Sequence, residues 1–90
     1  MSRLKNWSFD NLCDFLEDYG FLLKHCVGFH YYYNGKIKGK DVIVQAINST
    51  KEKGGQSDKT MKLAVRHSDI PKEYFQEWKD SKNVHKEIIG

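Results

Sequence analysis

Proline occurs once and cysteine twice in ninety residues, and neither charge sign dominates. So little proline excludes a polyproline-type chain, and two cysteines exclude a disulfide-dense secreted scaffold. Cys13 and Cys26 lie too far apart for a Cys-x-x-Cys pattern and are expected to be buried free thiols. Long apolar runs are also missing. Nothing approaches the ~20 residues of a membrane span, and the N-terminal Met1-Ser2-Arg3-Leu4-Lys5-Asn6 is not followed by the apolar segment of a signal peptide. The expectation is a soluble, cytoplasmic protein with no membrane association. Fifteen Lys and Arg against twelve Asp and Glu leave a net charge of +3, which permits a polyanionic partner without requiring one. What is plentiful is aromatic: 13% Phe, Trp and Tyr within 39% hydrophobic residues excludes a disordered chain, while a mean hydropathy of −0.71 points to a wet surface. The length suits one domain over residues 1–90 with a single modest core, centred on residues 7–79.

Ser8 is placed to cap a helix, with Asp10 in its first turn. Phe9, Leu12, Cys13, Phe15, Leu16 and Tyr19 recur at helical spacing, Gly20 marks the end, and Trp7 packs ahead of it. Phe21 to Cys26 reads as a strand, with Phe21, Leu23 and His25 on one face and Leu22, Lys24 and Cys26 on the other. Val27-Gly28 supplies a turn into a second strand, Gly28-Phe29-His30-Tyr31-Tyr32-Tyr33, since aromatic side chains favour a pleated surface. Alternation puts Phe29, Tyr31 and Tyr33 inward and His30 and Tyr32 outward. Asn34-Gly35 is a strong hairpin signal and is expected to end the strand. A basic segment follows, with Lys36, Lys38 and Lys40 as phosphate contacts or as guards of an exposed edge, then a third strand over Asp41 to Ile47. Asn48 to Lys59 reads as an exposed loop with three lysines. Met61 to His67 alternates as a strand carrying Lys62 and Arg66 outward, with a helix as its rival. Ser68 or Asp69 is expected to cap a helix from Ile70-Pro71 to about Lys79, burying Ile70, Tyr74, Phe75 and Trp78. Residues 80–90 are either a short docked piece or a frayed end.

The order of elements, the run Gly28-Phe29-His30 followed by Tyr31 to Tyr33, and the passage Leu63-Ala64-Val65-Arg66-His67 to Ile70-Pro71-Lys72-Glu73 together resemble the HicA-type mRNA interferase toxins. The resemblance covers about Trp7 to Lys79. Phe29 stands where that family has a small hydroxyl, and Arg66 where it has proline. It implies an α+β, double-stranded-RNA-binding-domain-like fold: an antiparallel sheet of three to four strands with two helices on one face. It further implies a toxin of a toxin–antitoxin pair that cleaves mRNA with loose sequence preference, His30 being catalytic. The partners implied are mRNA and a HicB-type antitoxin that covers the active site, with no metal and no small-molecule cofactor.

The chemistry of the residues is compatible with that. RNA cleaves itself when its 2′-hydroxyl loses a proton and its leaving oxygen gains one, and imidazole serves either step. Lys62 and Arg66, expected on the face of His30, would neutralise the phosphate, and Tyr32 would stack a base or donate its hydroxyl proton. His67 is a candidate assistant. Otherwise His30 is a polar residue on a solvated strand, and the chain is a non-catalytic RNA-binding module or a protein–protein interaction domain. His25, Cys26 and His30 cannot easily converge on one metal ion if Cys26 and His30 lie on opposite faces.

Overall fold

The computed structural model describes Leu4, residues 6–48 and residues 55–90. Helix α1, Phe9–Asp18, starts where the cap signal puts it. The Ser8 hydroxyl accepts from the Asn11 amide and the Asn11 side chain accepts from the Ser8 amide, so two free donors of the first turn are satisfied reciprocally. Tyr19 is the C-cap, and Gly20 takes the positive φ of 84° that turns the chain into the sheet.

Three strands form an antiparallel sheet in sequence order: β1 Leu22–Val27, β2 His30–Ile37 and β3 Lys40–Ile47. The first hairpin turns at Gly28-Phe29, one residue later than expected, with positive φ at Gly28. The second turns at Lys38-Gly39 and not at Asn34-Gly35. Lys38 and Gly39 have φ of 53° and 79°, the pair of positive values that a type I′ turn needs. Asn34 and Gly35 stay in the middle of β2, opposite Ile43 and Val42. The glycine is there for space: a Cβ at position 35 would lie 2.6 Å from Cγ of Phe21, whose ring covers the strand. The Asn34 side chain donates to the Val42 carbonyl at 3.0 Å.

Residues 61–67 are helical, so the strand reading of this stretch is corrected. Helix α2, Asp58–Ser68, buries Met61, Ala64 and Ser68, and its N-cap is Ser57, whose hydroxyl accepts from the Thr60 amide. The expected loop over Asn48 to Lys59 therefore ends early. Gln56 is buried and its side chain brackets the end of β3, accepting from the Ile47 amide and donating to the Ile47 carbonyl. Residues 49–54 of that loop lie outside the described residues. Ser68 and Asp69 finish α2 instead of capping the next helix: Asp69 is left-handed at φ 60°, and Pro71 is the N-cap of α3, Lys72–Ser81.

The core is aromatic and one-sided. Trp7 stacks on Trp78 with ring centres 5.5 Å apart, Phe15 stacks on Phe75 at 4.1 Å, and Trp78 Nε1 donates to Asp18 at 2.7 Å. Tyr33, Ile37, Val44 and Ala46 close it from the inner face of the sheet. Cys13 is buried in this core, but Cys26 is exposed, because every residue of the edge strand β1 is exposed. No helix among the described residues is long and apolar enough to cross a membrane.

The C-terminal stretch is docked. Ile89 bridges Ile37, Lys38 N donates to the Ile88 carbonyl, and Gly90 N donates to the Lys36 carbonyl. Its anchor is His85, which stacks on Tyr74 at 3.7 Å and meets Glu77 at 2.9 Å and Glu87 at 3.3 Å. Its backbone amide also donates to the Tyr19 hydroxyl. The hydrogen bond from His85 holds the Glu77 carboxyl below its ordinary value, and the bond to Glu77 raises His85 above its ordinary 6.5.

Two outcomes follow from this packing. Gly35→Ala forces the new methyl group into the Phe21 ring and is expected to cost about 1–3 kcal/mol in chemical denaturation. For His85 the folded state holds the proton more tightly than the unfolded state, so its contribution is complete below pH 6.5 and is lost as pH rises through the raised value. The Tm advantage of the native chain over His85→Gln is therefore expected to be larger at pH 6 than at pH 9. An advantage equal at both would show that the Glu77 contact contributes nothing.

Candidate functional site

The side chains of β2 alternate strictly, and the buried set Tyr33, Gly35 and Ile37 fixes which face is inner. His30, Tyr32, Asn34 and Lys36 therefore point outward, as the parity of the sequence predicts for His30 and Tyr32. Residues opposite one another share a face, so the register assigns the rest of that surface. The first rung is Val27, His30 and Ile47; the second is His25, Tyr32 and Gln45; the third is Leu22, Asn34 and Ile43.

His25 stands here because of a bulge. The register of β1 shifts between Leu23 and His25, leaving Lys24 as an extra residue. Leu23 pairs with the inward Tyr33 while His25 pairs with the outward Tyr32, so simple alternation, which puts Leu23 and His25 on one face, fails at this point. The His25 ring lies 4.7 Å from that of Tyr32, inclined by 34°. His25 and His30 are diagonal neighbours on adjacent strands, a spacing of about 7–8 Å. Nothing in the sequence marks Lys24 as the extra residue, which is why His25 is missed as a member of this face.

Helix α2 walls the face beyond β3. Tyr32, Ile43, Gln45, Thr60, Leu63 and His67 line a cleft of about 290 Å³ between them. The structure thus brings His67 to Tyr32, two residues that the sequence puts forward separately. Lys62 and Arg66 are corrected, since they ride on α2 and not on a strand of the open face. Lys62 lines a different hollow, with Leu4, Met61 and Val65, on the other flank of the helix. Arg66 is exposed on α2, one helical turn from Leu63. Lys36 faces outward near the far end of the sheet and Lys38 sits in its turn, Lys36 being six residues or roughly 20 Å along β2 from His30. They do not join the histidines. As β2 is the central strand, Lys36 does not guard an edge either.

Phe29 is in the hairpin turn, not on the inner face, and is 59% exposed. Cys26 pairs with the inward Tyr31, so it lies on the opposite face from His25 and His30. Among the described residues no group of three or more His, Cys, Asp or Glu is placed to hold a metal ion. Beneath the sheet the Tyr33 hydroxyl meets the Cys13 thiol, and burial pushes both groups up, which keeps them protonated at neutral pH.

Compared with family models, curated proteins and solved structures, the chain matches none.

The two thiols provide a check on this assignment of faces. Cys26 is expected to react with a maleimide in the native protein and Cys13 only after denaturation, so mass spectrometry of the native chain should show a single adduct on Cys26. Two adducts at equal rates would contradict the burial of Cys13.

Proposed function

We propose that the chain is a small endoribonuclease of the HicA type, the toxin of a toxin–antitoxin pair, acting on mRNA in the cytoplasm without a metal ion. The observation that carries this is the pair of outward imidazoles, His25 and His30, on adjacent strands with Tyr32 opposite His25 and next to His30 on the same face. Cleavage of RNA by its own 2′-hydroxyl needs one base and one acid on either side of the phosphate. Two neighbouring imidazoles supply both: one takes the 2′-hydroxyl proton as the oxygen attacks phosphorus, and the other protonates the departing 5′-oxygen. The products are a 2′,3′-cyclic phosphate and a 5′-hydroxyl. The fold supports the same reading. A helix, three antiparallel strands and two further helices in that order, with the buried face of the sheet packed into the core and the other left open, is compatible with a double-stranded-RNA-binding-domain-like architecture to which α2 is an addition. Arg66 and Lys59, both exposed on α2 within a turn of Leu63, provide cations on the helix in place of the sheet lysines expected from the sequence.

A protein inhibitor fits this face as well. Leu22 is 75% exposed, Ile43 55%, and Val27 and Phe29 59% each, and they surround the histidines. Exposed apolar residues grouped around a polar centre mark a protein-binding surface, and an antitoxin of the HicB type seated here would cover His25 and His30.

The test is cleavage of an mRNA transcript in the presence of EDTA. Wild type is expected to cut and to leave cyclic phosphate ends, and His30→Ala and His25→Ala are each expected to lower the rate by about 100-fold or more. Cleavage by both variants at the wild-type rate would rule out this mechanism. Loss with His30→Ala alone would leave a single-histidine enzyme.

A further inference from the structure

The cleft between the outer sheet face and α2 is built differently from the histidine pair beside it. Its floor and walls are Tyr32, Ile43 and Leu63, with Thr60 and His67 on the helix and the Gln45 side chain between. Thr60 Oγ1 is already engaged by Ser57. Among the described residues the Gln45 carboxamide has no hydrogen-bond partner, leaving one donor group and one acceptor turned to the same hollow as an aromatic ring. No lysine or arginine lines it, so the cleft is unsuited to a phosphate. An aromatic face, an apolar wall and one amide able both to give and to accept hydrogen bonds match a flat, uncharged heterocycle.

Tyr32 is also pre-positioned. The second rung runs His25, Tyr32, Gln45, so the His25 ring supports Tyr32 from the β1 side and the cleft lies on the β3 side. A base stacked there would therefore meet a ring already held in place, and its edge would meet Gln45.

We propose that this cleft is a subsite for one unstacked nucleobase of single-stranded RNA, stacked on Tyr32 and read along its edge by Gln45. It rests on the reading of the chain as an RNA enzyme and adds to it the form of the substrate: the nucleotide beside the cleaved bond is drawn out of any helix before the histidines act. Duplex RNA would be a poor substrate, and base preference would reside at one position.

The experiment uses the full chain and short 2′-O-methyl oligoribonucleotides, which cannot be cleaved, of each of the four bases. Affinity is read by fluorescence anisotropy, and insertion by quenching of a single 2-aminopurine. Wild type is expected to bind with unequal affinity for the four bases and to quench 2-aminopurine in single strands but not in a duplex. Tyr32→Leu is expected to weaken binding by roughly 5- to 100-fold and to abolish quenching. Gln45→Leu is expected to lower the affinity for the preferred base toward that of the other three, so that the four converge. Leu63→Trp, which fills the hollow from the helix side, should act like Tyr32→Leu, and circular dichroism of each variant checks the fold. If Arg66→Ala and Lys59→Ala weaken binding while all three cleft variants bind as wild type, the base subsite is refuted and the RNA reading stands. If the wild-type chain binds no oligoribonucleotide, the RNA reading fails and the subsite with it. Free nucleosides that bind as tightly as the oligonucleotides would identify the occupant as a small molecule and overturn the assignment to an RNA chain.

Discussion

The burial of one sheet face by a dense aromatic cluster is the constraint on which the remaining structure depends. Trp7, Phe15, Phe75 and Trp78 draw the N-terminal segment, α1 and α3 together, and Phe21 lies flat on β2 where only glycine leaves room. A chain of this size has little apolar surface to bury beyond one such cluster, so the opposite sheet face is left without a helical layer. That opposite face is consequently where polar, aromatic and exposed apolar side chains collect. The location of the candidate site is thus a by-product of where the core had to be.

The same constraint explains which parts of the fold were legible in the sequence. Helix α1 could be read to its cap because Ser8, the apolar spacing and Gly20 are local signals that agree with one another. The outward placement of His30 and Tyr32 was legible because β2 is regular and Tyr33 is anchored in the core. Asn34-Gly35 misled because the glycine answers to the Phe21 ring, a contact made at a distance, and the turn signal that mattered was Lys38-Gly39, where lysine is a poor herald of positive φ. Over residues 61–67 the apolar positions fit both periods, and the deciding signal, the Ser57 cap, sits in a polar stretch that reads as loop.

The bulge at Lys24 is a different kind of failure. Register belongs to a pair of strands, and a one-residue shift transfers every later side chain to the other face. No property of Leu23, Lys24 or His25 alone reveals it. Yet it converts a lone histidine on a strand into one of two on a shared face, and the chemistry available to two imidazoles differs in kind from that of one, since acid and base can be present together. Bulges re-aim side chains at sheet edges, and β1 is such an edge.

Charge plays a lesser part than the composition suggests. Lys36 and Lys38 lie toward the hairpin end that receives the C-terminal stretch, and Lys62 looks to another flank of α2, so three of the cations that the sequence offers for RNA are remote from the histidines. Arg66 and Lys59 remain, exposed on α2 within a turn of Leu63. Under the proposed function, a face with few cations at its centre, apolar residues at its margin and an aromatic ring beside a free amide would gain its contacts to RNA more from stacking and shape than from phosphate neutralisation. Binding of that kind falls only gently with added salt, because few counterions are released. The same apolar margin would serve the proposed protein inhibitor, for which desolvating Leu22, Val27 and Ile43 is favourable at any ionic strength. On that proposal one surface would accept an unpaired RNA strand and a protein in turn, and the second would exclude the first because both need the same face.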